Sequence, residues 1–185
     1  MRVIAGKARS LPLKTPAGEN TRPTTDRIKE TLFNMIQMEV PDCVFADFFS
    51  GSGGIGIEAL SRGARKAYFI DQDKEAISCI ESNIAFTKFT EEAVVIKQDV
   101  FSALNNIYEK HVDIIFMDPP YNMDLEKKLL GLLKHMKYVD EDTIIIIEAS
   151  LETSFDDLDE LGYEVRREKE YKTNKHVFVR LKKDQ

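Results

Sequence analysis

From residue 44 onward, short apolar runs alternate with stretches of helical spacing. "VFADFF" (44–49), "KAYFI" (66–70), "AVVIK" (93–97), "VDIIFM" (112–117) and "TIIIIEA" (143–149) are continuous rather than alternating. That pattern predicts strands buried on both faces, as in a parallel sheet. Between them the spacing predicts helices over 54–63, 74–87 (Ile77, Ile80 and Ile84 in register), 100–109 and 124–137, with a last short helix near 153–161. "YEVRREKEY" and "KHVFVRL", joined by "KTN", predict two closing strands. Ahead of the first strand, "TTDRIKETLFNMIQM" predicts a helix capped by Thr24 or Thr25, with Asp26 in its first turn and Ile28, Leu32, Met35 and Ile36 on one face. Repeated βα units predict an α/β fold: a doubly wound, Rossmann-like sheet with right-handed crossovers.

Composition changes this picture little. A chain of 185 residues, 43% hydrophobic and 31% charged, is of a size and make-up for one globular domain. "MRVIAGKARSLPL" has no apolar core of a signal peptide, and no apolar run approaches the roughly 18–20 residues of a membrane span, so a cytoplasmic protein without membrane contact is expected. Cys43 and Cys79 lack metal-ligand spacing and read as reduced core thiols; no metal is expected. His111, His135 and His176 form no metal spacing or triad. Charge is more informative. The net charge is −6, yet residues 1–29 carry about +5, leaving the remainder near −11. A basic arm on an acidic body can track phosphates, or it can be a solvated ribbon. Lys127, Lys128, Lys134 and Lys137 read as a solvated helix face in preference to an RNA-binding patch.

On a doubly wound sheet, ligands bind beyond the carboxyl ends of the strands. The first strand ends in "DFFSGSGGIGIEAL", where Gly51, Gly53 and Gly56 fit G-x-G-x-x-G between a strand and a helix. Glycines there allow a tight turn and close approach of a nucleotide, although a plain tight turn would use them too. The second strand ends in Asp71, placed to hold a ribose diol, whereas Asp73 reads as a helix cap. Asp99 ends the third strand, suited either to an adenine amino group or to capping. Asp47, close to the glycine turn, can face a cationic group; a buried carboxylate without a partner is costly.

The fourth strand ends in "DPPY", residues 118–121. Dinucleotide oxidoreductases share the glycines and the ribose acid but have no use for this corner. An exocyclic amine on a base is a poor nucleophile because its lone pair is delocalised into the ring. Asp118 and the Pro119 carbonyl can both accept from its N–H bonds, and neither Pro119 nor Pro120 has a competing N–H. Two acceptors localise the lone pair and stabilise positive charge building on nitrogen. Tyr121 offers a flat face for an unstacked base.

With these residues in view, the chain resembles the Class I S-adenosylmethionine-dependent methyltransferases of the (D/N)PP(Y/F) amino-methylating kind. Within them it is most similar to the bacterial RsmD-like enzymes, which methylate a guanine N2 of small-subunit (16S) ribosomal RNA. The resemblance is carried by "RVIAGKARSLPL" (2–13), "RPTTDRIKETLFN" (22–34), "DFFSGSGGIGIEALSRGA" (47–64) and "DPPY". It implies a seven-stranded, mostly parallel sheet with one antiparallel strand. It also implies a basic arm and helix over residues 1–40 packed on a methyltransferase domain over 41–185. Asp47, Ser50, Gly51, Ser52, Gly53, Gly56, Asp71 and Asp99 would hold S-adenosyl-L-methionine, with S-adenosyl-L-homocysteine as product. Asp118, Pro119, Pro120 and Tyr121 would form the catalytic corner, and Arg2, Lys7, Arg22 and Thr24 would meet substrate. For Arg22, Thr24, Thr25 and Asp26 an ordinary helix start is the competing reading. The expected partner is ribosomal RNA, within an assembling small subunit, and the expected state a monomer or weak dimer. Rival functions are a DNA amino-methyltransferase acting on adenine N6 or cytosine N4, a non-catalytic nucleotide-binding module and an NAD-dependent oxidoreductase. The absence of spare sequence for a target-recognition domain weighs against the DNA enzyme.

Overall fold

The computed structural model describes residues 1–17, 25–121 and 123–183. Helix α1 spans Asp26–Met35, and Thr25 caps it by accepting from the Ile28 N–H. The βα units follow: β1 (Val44–Phe48), α2 (Gly54–Ser61), β2 (Lys66–Asp71), α3 (Lys74–Thr87), β3 (Ala93–Lys97), α4 (Val100–Ala103), β4 (Ile114–Met117), α5 (Leu125–Leu133) and β5 (Ile144–Ser150). Strands β6 (Tyr163–Glu170) and β7 (Asn174–Leu181) close the chain. The sheet order is β3-β2-β1-β4-β5-β7-β6, parallel except that β7 runs antiparallel to both its neighbours. This is the expected α/β, doubly wound, seven-stranded arrangement with one antiparallel strand.

Both faces of the sheet are buried, as the unbroken apolar runs require. Val44, Ala46 and Phe48 of β1 join Ile115, Met117, Ile145 and Ile147 on one face, under Leu129, Leu130 and Leu133 of α5. Phe45, Phe69, Phe116, Ile146 and Phe178 fill the other, against Leu32 and Phe33 of α1 and Ile80 and Ile84 of α3. Cys43 is buried, which pushes its thiol up to about 12, and both cysteines are free thiols. No described helix is long and apolar enough to cross a membrane.

Three expected elements differ, the mildest being the helix expected over 124–137, which ends at Leu133. The helix expected near 153–161 is a series of turns. Its backbone bonds run three residues back, as in Leu158→Phe155 and Glu160→Asp157, and Ser154 and Asp156 bond each other locally. Serine and aspartate compete with helical bonding in this way, and only Phe155 and Leu158 anchor the segment in the core. The helix expected over 100–109 stops at Ala103 and continues as a single 3-10 turn, Leu104–Asn106.

Residues 1–17 are fastened to the sheet-bound helices. Val3 and Leu11 pair across a short hairpin, and Lys7 N–H donates to the Ser61 carbonyl. The fully buried Glu58 of α2 accepts from the Ile4 and Ala5 amides at 2.9 and 3.1 Å and from Arg62 Nε at 2.8 Å. Lys29 of α1, also fully buried, lies 3.6 Å from Glu58 and donates to the Arg2 carbonyl. Burial pulls its ammonium below the usual lysine range, and the Glu58 and Asp26 charges oppose that. Asn83 of α3 binds both the N–H and the carbonyl of Lys14 and also the Ser52 carbonyl, tying the arm to the glycine loop.

Candidate active site

Strand order reverses direction between β1 and β4, which opens a crevice at their carboxyl ends. A cavity of about 690 Å³ lies there, lined by the arm, the glycine loop and the ends of the strands. Six acids line it: in sheet order Asp99 after β3, Asp71 on β2, Asp47 on β1, Asp118 after β4 and Glu148 on β5, with Asp73 just beyond Asp71. Lys29 also lines the cavity, but its ammonium is spent on Arg2 and Glu58.

The glycine loop is built for two purposes. Gly53 stands at φ +78, a left-handed conformation that side chains rarely adopt, and it turns the chain into α2. A Cβ on Gly56 would meet the Phe69 ring at 2.4 Å, so this glycine lets α2 settle on β2. Neither Gly53 nor Gly56 lines the cavity; Ser50, Gly51 and Ser52 do. The Ser50 hydroxyl is occupied pinning the loop, donating to the Asp47 carbonyl and accepting from the Ile70 N–H.

Each acid has a distinct setting. Asp71 accepts from the Gly51 and Asp73 amides, both at 2.9 Å, one on each oxygen. Its remaining lone pairs suit a diol. Asp73 caps α3 as expected, accepting from Ala76 N–H. Asp99 caps α4 through the Ser102 N–H, one of its two readings, and it also lines the cavity. Asp47 is buried and accepts from the Gly56 N–H at 3.0 Å; burial pushes its carboxyl well up, and the Asp71 charge adds to this. Burial likewise raises Asp118 well above the carboxylate range, reinforced by the Glu148 and Asp47 charges. Carboxyl groups crowded so closely that burial and mutual repulsion oppose their ionisation fit a ligand that brings positive charge.

That shift has a sign that can be checked. A carboxyl held above its unfolded value, about 4, gives most stability at acid pH and loses it as pH rises through the folded value. Asp118→Asn removes the loss. Ligand-free Asp118→Asn protein is therefore expected to melt higher than the parent at neutral pH, with the gap closing towards pH ~4. Calorimetric melting at several pH values measures it; parallel pH profiles for the two proteins would contradict the burial argument.

The corner after β4 behaves as its prolines require. Asp118 is half-buried, Pro119 is buried, and the Tyr121 ring lies at the mouth, 43% exposed. All four corner residues line the cavity. Arg2 and Lys7 do not: Arg2 Nε is held by Asp26 at 2.9 Å, and Lys7 sits on the outer arm. Arg22 and Thr24 lie outside the described residues. Sequence reasoning missed Glu148 and Asn174, which complete the wall beyond Asp118. An acid ending a four-isoleucine strand beside the DPPY strand was the available signal for Glu148; Asn174 joins it only through the antiparallel β5–β7 pairing.

Crevice, glycine loop and acid row define a Rossmann-like protein of the methyltransferase fold. A precorrin-6y C5,15-methyltransferase from Geobacter metallireducens shares this architecture with a TM-score of 0.64 over 90% of this chain and 92% of its own, although only 14% of residues are identical. The profile of the family described as "Conserved hypothetical protein 95" matches residues 1–180, and the chain belongs to that RsmD-like family. The "Ribosomal RNA small subunit methyltransferase D" of Haemophilus influenzae is 35% identical over 150 residues, 80% of this chain and 78% of that protein. The structure of the Thermus hypothetical protein TTHA0928 superposes with a TM-score of 0.82 at 28% identity, covering 98% of this chain and 99% of that one.

Proposed function

We propose that this protein transfers the methyl group of S-adenosyl-L-methionine to the exocyclic N2 amine of a guanine in small-subunit ribosomal RNA. The observation that carries the reading is the position of the DPPY corner on the same cavity as the glycine loop, Asp71 and Asp99. A relative named as a small-subunit ribosomal RNA methyltransferase supports the choice of substrate.

The residues divide the work. Asp71 would hold the ribose hydroxyls and Asp99 the adenine amino group, while Asp47, through Gly56, stiffens the loop that would border the methionine portion. The cofactor supplies an electrophilic sulfonium methyl. Asp118 and the Pro119 carbonyl accept from the amine and aim its lone pair; much of the acceleration comes from this positioning. Bound there, the cofactor would lose its methyl carbon from sulfur to the amine nitrogen, and Asp118 in its ionised form would be placed to take the proton that the amine gives up. Tyr121 stacks on the flipped base. Residues 1–40 act as a substrate-facing arm and helix on the methyltransferase domain of 41–185.

Asp71→Ala is expected to weaken S-adenosyl-L-homocysteine binding by about 1.5–3 kcal/mol, from lost hydrogen bonds to a charged acceptor. An unchanged dissociation constant in calorimetry would remove Asp71 from the ribose. Tyr121→Ala should raise KM for RNA by about 1–3 kcal/mol in equivalent energy, with cofactor binding unaltered. Equal KM values would refute stacking.

Nucleoside mass spectrometry of small-subunit ribosomal RNA from cells with and without the gene tests the activity itself. The expected result is N2-methylguanosine present at one position only when the gene is present. Label from methyl-tritiated cofactor entering DNA and not subunits would overturn the assignment.

A further inference from the structure

Glu148 is not a member of the DPPY motif, yet it stands beside it. Met117 pairs with Ile147 in the β4–β5 register, so Asp118 and Glu148 are the next residues on adjacent parallel strands. Adjacent strands lie about 4.8 Å apart. Both side chains therefore meet the cavity as neighbours, and Glu148 is 8% exposed there.

Its orientation is held from behind. Asn174 Nδ2 donates to one carboxyl oxygen at 2.9 Å, and His176 Nε2 meets the other at 3.1 Å. His176 is fully buried, edge-on to Phe116 and Tyr171, and its Nδ1 lies 3.3 Å from the Tyr171 hydroxyl. With Nε2–H donating to Glu148, Nδ1 is the acceptor for the Tyr171 O–H, a tautomer assigned from the hydrogen-bond network. Burial and the Glu148 charge push the Tyr171 phenol up to about 12, which keeps that proton in place. Tyr171, His176 and Asn174 thus fix Glu148 as an acceptor with lone pairs left for the cavity.

Guanine differs from the other amino-bearing bases beside its amine. Its N1 carries a hydrogen, whereas the ring nitrogens flanking adenine N6 and cytosine N4 on the pairing edge, N1 and N3, are bare acceptors. We infer that Glu148, clamped by Asn174 and His176 next to Asp118, is the specificity-determining residue that accepts the guanine N1–H while Asp118 holds the N2 amine. The inference rests on the proposed methyl transfer to guanine N2 and explains why that amine is chosen. A carboxylate at this place repels a bare N1 or N3, so adenine and cytosine are rejected by an unpaired acceptor as well as by shape.

The test uses 2,6-diaminopurine, which keeps the 2-amine but has a bare N1. Small-subunit RNA is prepared with guanine or 2,6-diaminopurine at the position the parent enzyme methylates, and kcat/KM is measured for parent and Glu148→Gln. The parent is expected to prefer guanine by about 100-fold or more, since a site built for a hydrogen bond penalises its loss severely. In Glu148→Gln the amide oxygen stays on Asn174 and the NH2 takes the place of the oxygen that met His176, which accepts from it in its other tautomer; the second amide N–H can then serve a bare N1, and the preference should fall below about 10-fold. S-adenosyl-L-homocysteine affinity within about threefold of the parent verifies the fold of the variant. Equal parental rates on the two bases, or an unchanged preference in Glu148→Gln, would overturn the role of Glu148 while leaving guanine methylation standing. A parent inert on guanine would remove both.

Discussion

Asp118→Ala is expected to lower kcat by about a thousandfold or more while leaving S-adenosyl-L-homocysteine affinity within about threefold of the parent. The loss combines a missing acceptor for the developing charge, of order 10²–10³, with a missing proton acceptor, of order 10²–10⁴; the two overlap because one carboxyl performs both tasks. Affinity for the spent cofactor survives because Asp71 and Asp99 lie on other strands, and neither hydrogen-bonds Asp118. Single-turnover methylation of small subunits, set beside calorimetry with the product, separates the two effects. Comparable turnover by the two proteins would remove the DPPY corner from the chemistry.

The largest effect on stability is expected at a residue with no part in the chemistry. Glu58→Ala removes the acceptor for two arm amides and for Arg62, and it leaves the buried Lys29 ammonium with the Arg2 carbonyl but without its ion-pair partner. Breaking a buried ion pair in this way costs about 3–5 kcal/mol. Urea unfolding measures it, and a change below ~1 kcal/mol would mean that the pair is replaced by water at little cost. The arm should also loosen. Met1, Thr15 and Pro16 line the cavity, so cofactor affinity should fall along with stability in this variant, in contrast to Asp118→Ala.

Legibility from the sequence followed the range of the interactions. Apolar runs located the five parallel strands to within about two residues, because burial on both faces leaves few polar positions inside them. Helix α3 was read to its ends, since Asp73 caps it through a local bond and Thr87 precedes the left-handed Lys88. The turns over 151–162 were misread because acidic and serine side chains compete for the backbone there. The seven-stranded count and the antiparallel strand came from family resemblance, not from periodicity, and the sheet order was not read from the sequence at all. The sequence counted Lys29 in the basic charge of residues 1–29, yet it is buried on the face of Leu32 and Phe33, because its partner Glu58 lies 29 residues on and no local pattern names it. Glu148 was hidden for a related reason. Its clamp comes from Asn174 and His176, 26 and 28 residues later, across an antiparallel pairing that no local pattern specifies. The strand-end positions of the acids were legible; the network that orients them was not.

The proposed chemistry requires a methyl donor and an amine to meet at Asp118. A crystal structure of the protein with S-adenosyl-L-homocysteine tests this directly. The expected complex has ribose hydroxyls on Asp71, the adenine edge towards Asp99 and the sulfur opening onto the space in front of Asp118 and Tyr121. A product molecule seated with its sulfur turned away from that corner, or bound outside the crevice between β1 and β4, would contradict it.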